Sequence, residues 1–592
     1  MPPVAAVDLQ LARLLKRKRR FADAEDLALA AAEAFEEQGL AVRGAYARIV
    51  LSQCLKDEGR AVEAIGQTER ALAGLEGYHA KWVSYQCYDL MGSLQGSEGA
   101  LEEAERLYMK AIEEMESLRS NIGLDEFRMS FGRDKYQVYE NVVDLKIWAD
   151  LGAEAFDFVE RSKSRTLIDL LEQNLDSVWQ SNASGSRRAD IQKVRQDLNG
   201  LYSRLSQAGT TISSLASDRS LQTEIDEREK ELVALLRAAG SEKDGWVALE
   251  TMALPTLREI QGMLEDHEVL IEYYKMKDRF CAFVISGSQF HFERDLGTID
   301  AVRSCLKGLN FQLSKFHLSA DYLKQRQGTL LKATTHHLSE LYRLLMAPLE
   351  DKIKGHSLVI IPHHVLHYVP FQALFDGEAF VVERHDVAYS ASASVLKICR
   401  ERKLPEMERD LVLAVADEST PAILEEADVL RELLPNARVF VGADATADLL
   451  RQYGPTAGKL HIAAHGVFRS DNPMFSSILL GDSWLNLVDI FNLKLGAELT
   501  TLSACETGMS ALSEGDELLG LTRGFLYAGT PSLVVSLWRV NDRSTTQLMR
   551  RFYEGLAEGL TKPKALQQAA LSVKESFPHP YFWAPFVLMG KS

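Results

Sequence analysis

The chain has 592 residues, more than the about 250–300 residues that one hydrophobic core usually holds, so several domains are expected. Its composition, 46% apolar and 26% charged, is that of a globular protein, and no apolar run reaches the ~18 residues of a membrane span. The net charge of −17 argues against broad nucleic-acid binding, since phosphate contacts need clustered Lys and Arg. Scattered cysteines without CxxC pairs, and an N-terminus without a secretory signal, favour a reducing cytoplasm over a disulfide framework or a zinc site.

The first third of the chain is predicted to be a stack of helical hairpins. Three segments align with a period of 40 residues and carry alanines at the same two positions, which are Ala24, Ala64 and Ala104, then Ala31, Ala71 and Ala111. Small residues at fixed positions let paired helices approach closely, and a repeat of this length is typical of stacked hairpins. The pattern resembles tetratricopeptide (TPR) repeats, with a period longer than the usual ~34 residues. We assign residues 1–174 to this region; a non-repeating helical bundle is the alternative.

Residues 175–249 are predicted to be a linker followed by a helical hairpin. The linker contains the Ser- and Asn-rich segment DSVWQSNASGSRRAD. Beyond it, apolar residues at spacings of three and four form a seam of the coiled-coil type, which consists of Ile191, Val194, Leu198, Leu201 and Leu205. After a break at GTTISSLASD, the segment LQTEIDEREKELVALL predicts the second helix of the hairpin.

From about residue 250 the pattern changes to short apolar runs that alternate with amphipathic helices. Among these runs are EVLIEYYKM, RFCAFVISG, SLVIIP, LVLAVAD, LHIAAH, LTTLSAC and SLVVSLW. Strands that are apolar on both faces and alternate with helices predict a mostly parallel sheet covered on both sides. The expected fold class is therefore multidomain, with an all-α repeat region followed by an α/β region.

Two of the predicted strands end on residues that suit nucleophilic catalysis, His465 and Cys505. In open α/β sheets, sites form at the carboxyl ends of strands. A cysteine thiolate can attack a carbonyl while an imidazole handles the proton for the leaving amine. Gly466 has no side chain, so its N–H can approach an oxyanion, as can the N–H of Cys505. On spacing alone, a buried structural cysteine and an unrelated strand-end histidine are the alternative.

Several motifs surround this pair in a fixed order along the chain. They are LHIAAHGVF, TLSACETG, GDELLGLTRGFLYAGTPSLVVSLWRVND, LMRRFYEGL and HPYFWAPFVLMG, with IIPHHVLHYVPFQALF and VAYSASASVL upstream. Together they resemble the CHAT peptidases, which are caspase- and separase-like cysteine proteases that usually follow TPR repeats. The resemblance implies a dyad in which His465 is the general acid/base and Cys505 the nucleophile, with Gly466 as an oxyanion donor and no required carboxylate.

The resemblance covers about residues 250–592 and also implies how this region divides. Residues 250–400 are expected to form a degenerate caspase-like half, and residues 401–592 the catalytic half. The order of repeats, helical arm and protease is the order found in the family. Relatives act in bacterial stress, defence or programmed cell death, so such a setting is expected here.

Three acidic residues are candidates for substrate specificity or activation. Asp516 and Glu517 follow the nucleophile in SEGDELLG, which is typical of a loop. Asp542 follows a strand in SLWRVND, where caspase-like folds line the pocket for the residue before the cleaved bond, so it could select Arg or Lys. Alternatively Asp542 caps the following helix, and we favour this interpretation because Asp before Ser and Thr is common at helix starts.

These observations predict a cytoplasmic cysteine endopeptidase that cleaves a protein substrate and stays latent until its repeat region binds an activating protein or protein–RNA complex. No cofactor, membrane or direct nucleic-acid partner is expected. No metal is expected either, although the HHVLH segment contains three histidines, His363, His364 and His367. The alternative is a non-enzymatic TPR scaffold whose degenerate caspase-like domain serves for docking. The presence of both His465 and Cys505 argues against that alternative.

Overall fold

The computed structural model describes most of the chain, in two compact units that comprise Met1–Ser162 and Lys163–Ser592. The described residues are 2–78, 80–120, 137–172, short stretches between 193 and 235, 255–318, 320–416, 420–467, 476–505 and 519–592. Within these ranges, no helix is both long and apolar enough to cross a membrane.

The first unit consists of helices, and short turns join α1 to α2, α2 to α3, α3 to α4, α5 to α6 and α7 to α8. They are α1 (Pro2–Arg17), α2 (Phe21–Glu37), α3 (Ala41–Asp57), α4 (Ala61–Ala73), α5 (Lys81–Ser97), α6 (Leu101–Ser120), α7 (Gln137–Trp148) and α8 (Gly152–Glu172), the last of which continues into the second unit. All six alanines of the 40-residue pattern lie in α2, α4 and α6 and are fully buried. The predicted stack of helical repeats is therefore confirmed, because each repeat buries its alanines at the same place.

The turns between these helices explain why the period is 40 residues. Helices α2, α3 and α5 are 17 residues long, and a three-residue turn follows each of them. The middle residue of each turn has a left-handed backbone, at Gly39, Gly59 and Gly99. Glycine adopts positive φ without steric cost because it has no Cβ. One helix and one turn thus take 20 residues, and a helical pair takes 40.

The second unit is built around one mixed sheet that is mostly parallel. Its strands are β1 (Glu268–Met276), β2 (Arg279–Ile285), β3 (Phe290–Glu293), β4 (Ser357–Ile361), β5 (Val387–Tyr389), β6 (Arg409–Ala414), β7 (Arg438–Val441), β8 (Ala457–Val467), β9 (Ser477–Leu479), β10 (Trp484–Asn486), β11 (Leu499–Cys505), β12 (Ser532–Ser536) and β13 (Phe586–Gly590). The long apolar runs of the sequence all form strands, as predicted. The short strands β3, β5 and β10 were not predicted, because three or four residues carry too little periodicity.

Two sets of parallel strands meet in the middle of this sheet. One set has the order β7-β6-β8-β11-β12, and the other has the order β13-β5-β4-β1, extended by the antiparallel strands β2 and β3. The sets join through β12 and β13, which are antiparallel. Because this junction reverses the strand direction, the carboxyl ends of the two sets lie at opposite edges of the sheet.

Helices accompany the strands of the second unit and cover the sheet. They are α9 (Leu257–Met263), α10 (Ile299–Ser314), α11 (Ala320–Leu345), α12 (Glu350–Ile353), α13 (Val381–Arg384), α14 (Ala393–Glu401), α15 (Ala422–Leu433), α16 (Ala447–Tyr453), α17 (Leu487–Phe491), α18 (Leu519–Ala528), α19 (Asp542–Ala557), α20 (Lys562–Ser576) and α21 (Pro580–Trp583). One apolar core extends across both strand sets and includes the fully buried rings of Tyr273, Phe371, Phe525, Phe552 and Trp583.

Most of the predicted linker and hairpin, 175–249, lies outside the described residues. Three residues of the predicted seam, Val194, Leu198 and Leu201, are helical and buried. The predicted boundaries at 174, 249 and 400 stay predictions.

Candidate active site

The two strands that carry the predicted dyad are neighbours in the sheet. Strands β8 and β11 run parallel, and their register pairs residues 461 with 501, 463 with 503, and His465 with Cys505. Adjacent strands lie about 4.8 Å apart, so the backbone brings His465 and Cys505 side by side. Both stand where parallel pairing between these strands ends, which is the carboxyl end of this strand set.

Strand β8 differs from its predicted form at this point. We expected it to end on His465 and Gly466, but it continues to Val467. Beyond His465 the strand changes partner, because Gly466 and Val467 pair antiparallel with Ile478 and Ser477 of β9. The expected strand end was therefore wrong by one residue, since β8 pairs with the short strand β9 beyond the point where β11 stops. Gly466 remains next to His465 and is buried.

A threonine that the sequence analysis missed lies beside the imidazole of His465. Thr420 Oγ1 is 3.5 Å from His465 Nε2, and the His465 side chain is partly exposed. Thr420 precedes α15, which follows the parallel strand β6, the neighbour of β8 on the other side. The rule that sites form after the carboxyl ends of parallel strands would have pointed to this loop as well.

A buried polar network lies on the same two strands, closer to their starts. Glu426 of α15 has one carboxylate oxygen 2.9 Å from His461 Nε2, and its other oxygen accepts a hydrogen bond from Ser503 Oγ at 3.1 Å. The side chains of His461 and Glu426 are 1% and 3% exposed. Tyr553 Oη lies 3.1 Å from His461 Nδ1 and donates a hydrogen bond to Thr501 Oγ1, also at 3.1 Å. Burial raises the pKa of Tyr553, so its hydroxyl stays protonated and able to donate.

Of the three candidate specificity residues, the structure describes only the position of Asp542. Asp516 and Glu517 lie outside the described residues. Asp542 is the first residue of α19, and the helix cap is its neighbour Asn541, whose side chain accepts a hydrogen bond from Ser544 N–H. The expectation that Asp542 caps the helix was therefore wrong by one residue. Asn is as good a cap as Asp, since either side chain presents an acceptor to the helix start.

The carboxyl ends of β1 and β4, in the other strand set, hold a second polar cluster. The Lys163 ammonium lies 3.1 Å from Glu272 Oε1 and donates hydrogen bonds to the Tyr273 and Pro362 carbonyls. His363 accepts a hydrogen bond from Lys275 N–H, and burial lowers its pKa well below the ordinary range. Among the residues that the structure describes, no group of three His, Cys, Asp or Glu side chains is arranged to bind a metal.

Comparison with known proteins gives similarities for both parts of the chain. Residues 335–591 match the family model of the CHAT domain. Mouse tetratricopeptide repeat protein 28 is 26% identical over 45% of this chain, and its human counterpart is 23% identical over 83%. Two crystal structures of the Saccharomyces cerevisiae separase–securin complex align with 99% of this chain and 53% of theirs, at 11% identity and TM-scores of 0.41 and 0.40.

The relatives are much longer than the part that aligns. The alignments cover 14% of the mouse protein and 24% of the human protein. The chain thus corresponds to about a quarter or less of the length of these relatives.

Proposed function

We propose that this chain, in which residues that match the CHAT domain follow helical repeats, is a cysteine endopeptidase with His465 and Cys505 as its catalytic dyad. The observation that carries the proposal is the register of β8 and β11, which pairs these two residues at the carboxyl ends of adjacent parallel strands. A histidine and a cysteine in this arrangement suit proton transfer and nucleophilic attack on the same carbonyl.

The proposed reaction is acyl transfer to the cysteine followed by hydrolysis. The Cys505 thiolate attacks the carbonyl carbon of a peptide bond, and backbone N–H groups of Cys505 and Gly466 are the candidate donors to the oxyanion. The C–N bond then breaks as protonated His465 gives its proton to the leaving amine. Water, deprotonated by His465, hydrolyses the thioester and restores the free thiol.

Latency until an activator binds the repeats is the second part of the proposal. A partner can switch the enzyme only if it binds the active arrangement more tightly than the latent one. Helices α1, α3 and α5 offer such a binding surface. The Tyr46 and Trp82 rings lie 5.3 Å apart, and the Arg13 guanidinium lies 5.8 Å from the Tyr46 ring. The Trp82 side chain is 44% exposed. Exposed aromatic and Arg side chains are typical of binding hot spots.

We extend the proposal to the cellular setting: a cytoplasmic protease of a bacterial defence, stress or cell-death pathway, activated by a protein or protein–RNA complex and acting on a protein substrate. Asp542 is a candidate for selecting a basic residue before the cleaved bond, and Asp516 and Glu517 for activation. Since Asn541 supplies the helix cap, Asp542 is not needed for that role.

A non-enzymatic scaffold is the second candidate function. The relatives carry names that refer only to their repeats, tetratricopeptide repeat protein 28, which favours protein binding as a function in its own right. In this alternative the repeats and the CHAT domain both serve for docking.

One experiment separates the two functions. The full chain and its Cys505→Ala, His465→Ala and Cys305→Ala variants are added to lysate of the source cells, and new protein N-termini are mapped by mass spectrometry. A peptide chloromethyl ketone then labels each purified protein after incubation in the same lysate. Cys305 is a partly buried free thiol on α10, so its variant controls for loss of any cysteine.

A protease predicts new N-termini with the wild type and Cys305→Ala, and a loss of at least ~10³-fold with the two dyad variants. It also predicts labelling at Cys505. Cleavage that persists in Cys505→Ala would refute the dyad. Absence of both cleavage and labelling in this lysate would support the non-enzymatic scaffold.

A further inference from the structure

The buried network that includes Glu426 connects β8 and β11 on the face of the sheet that also carries positions 465 and 505. Side chains alternate along a strand, so positions 461 and 465 of β8 share a face, as do positions 501, 503 and 505 of β11. The register pairs these positions across the two strands. Any side chain that holds 461 against 503 therefore also fixes how positions 465 and 505 face each other.

Glu426 makes this connection through a hydrogen bond at one carboxylate oxygen and a close contact at the other. One oxygen lies 2.9 Å from His461 Nε2 on β8, and the other accepts from Ser503 Oγ on β11, two residues before Cys505. Glu426 belongs to α15, the helix that begins next to Thr420, and Thr420 itself lies 3.5 Å from His465 Nε2. The segment formed by Thr420 and the helix that follows it thus lies against the His465 imidazole and against both strands.

We propose that Glu426 is a positioning residue for the dyad: it holds the strand of Cys505 in place against the strand of His465 through Ser503 and His461. The inference rests on the proposed function and adds to it a residue that touches neither substrate nor the reacting atoms. A buried carboxylate that accepts a hydrogen bond from one strand and lies in close contact with a side chain of the other resists sliding of the two strands, since movement in either direction strains one contact. Misplacement of reacting groups by about 1 Å can cost about 10²-fold in rate.

A purely structural role for Glu426 is the competing explanation. Tyr553 bridges the same strands at His461 and Thr501, one step further from the dyad. If Glu426 only stabilised the fold, its replacement would lower the melting temperature and leave the chemistry of Cys505 in the remaining folded protein unchanged. The test must therefore measure the thiol itself in the full chain and must not depend on an unknown substrate.

Iodoacetamide provides this measurement, because it reacts with the thiolate. A free cysteine, with a pKa of about 8.5, is about 1% thiolate at pH 6.5, whereas pairing with a histidine keeps a thiol reactive at this pH. The alkylation rate of Cys505 is measured by mass spectrometry at pH 6.5 and pH 9.5 in the wild type and in His465→Ala, Glu426→Gln and Ser503→Ala. Glu425→Gln is the matched control, since Glu425 is the exposed neighbour on the same helix. Melting temperatures are recorded alongside.

We expect Glu426→Gln to slow alkylation about tenfold at pH 6.5 and less than twofold at pH 9.5, towards the profile of His465→Ala. Ser503→Ala should shift the pH profile of alkylation in the same direction. Because it is a smaller change, it tests the contact between Glu426 and Ser503 even if Glu426→Gln fails to fold. Glu425→Gln should match the wild type. A wild-type pH profile in both Glu426→Gln and Ser503→Ala would overturn the inference while leaving the dyad intact. If His465→Ala alkylates as fast as the wild type at pH 6.5, the dyad itself is absent and the proposed function fails together with this inference.

Discussion

Replacing Lys163 with methionine should destabilise the second unit more than any exposed lysine replacement, because its partner Glu272 is completely buried. The two side chains are 3% and 0% exposed, with Lys163 Nζ 3.1 Å from Glu272 Oε1. Lys163 Nζ also donates to the Tyr273 carbonyl at 2.6 Å and the Pro362 carbonyl at 3.4 Å. Methionine keeps most of the volume of the side chain and removes its charge.

The magnitude follows from leaving a carboxylate buried without its cation. At an effective dielectric constant of about 20, two charges 3.1 Å apart attract by about 5 kcal/mol. Breaking a buried pair by removing one partner costs about 3–5 kcal/mol, which agrees with that figure. With about 2.1 cal/mol/K of unfolding entropy per residue, a cooperative unit spanning Lys163–Ser592 should melt roughly 3–5 °C lower.

Scanning calorimetry of four full-length proteins checks this reasoning. Lys163→Met should lower the melting temperature of the second unit, and the double variant Lys163→Met/Glu272→Met should recover most of the loss, since apolar replacement of a buried pair is often neutral. Lys397→Met is the control, because Lys397 is partly exposed and pairs with the exposed Glu401 at the surface of α14, where a salt bridge contributes about 0–1 kcal/mol. Equal losses in Lys163→Met and Lys397→Met, or no recovery in the double variant, would refute the argument.

Two further predictions concern the helix cap and acid stability. Asn541→Ala should lower the free energy of unfolding by about 1 kcal/mol through loss of the helix cap, whereas Asp542→Ala should lower it less. Melting temperatures of both variants check this difference. Peptide-library profiles show whether Asp542 selects substrates, because a loss of the Arg/Lys preference in Asp542→Ala would assign it that role. Burial lowers the pKa of His579 from 6.5 to about 4, so the folded protein disfavours the proton that the unfolded chain accepts, and the stability contributed by neutral His579 is lost as the pH falls from 6.5 to 4. This loss amounts to about 3 kcal/mol at most, and it should be smaller in His579→Gln; equal acid sensitivity in the variant and the wild type would contradict the assignment.

The sequence allowed the sheet and the dyad to be predicted because both are encoded in long, local patterns. Strands such as β8 and β11 are continuous apolar runs, and each carries its candidate catalytic residue at or near its end. The partner change of β8 was not predicted, because it depends on β9, three residues that lie ten positions away along the chain. The cap was assigned to Asp542 because Asn541 and Asp542 are adjacent good caps, and the sequence does not specify the helix start to one residue.

Glu426 was missed although the sequence contains a signal for it. In AILEEADVLRELL two glutamates stand side by side, which suggests a solvated helix face. However, Ile423, Glu426, Ala427 and Leu430 follow the spacing of one helix face, and the structure buries all four. A carboxylate in the apolar stripe of a helix is costly to bury without a partner, so it should be treated as a candidate for a specific role. The partners, His461 and Ser503, lie on separate strands, and only the fold brings them together.

The two carboxyl edges of the sheet suit different tasks. At β8 and β11, His465 is partly exposed and stands in register with Cys505. At β1 and β4, His363 is buried and its Nδ1 already accepts a hydrogen bond, while Lys163 occupies the space next to Glu272. An imidazole whose pKa lies well below its ordinary range and whose nitrogen is engaged is a poor proton carrier for a substrate. The edge at β8 and β11 is therefore the better candidate for catalysis, whereas the polar cluster at β1 and β4 suits a role in the stability of the second unit.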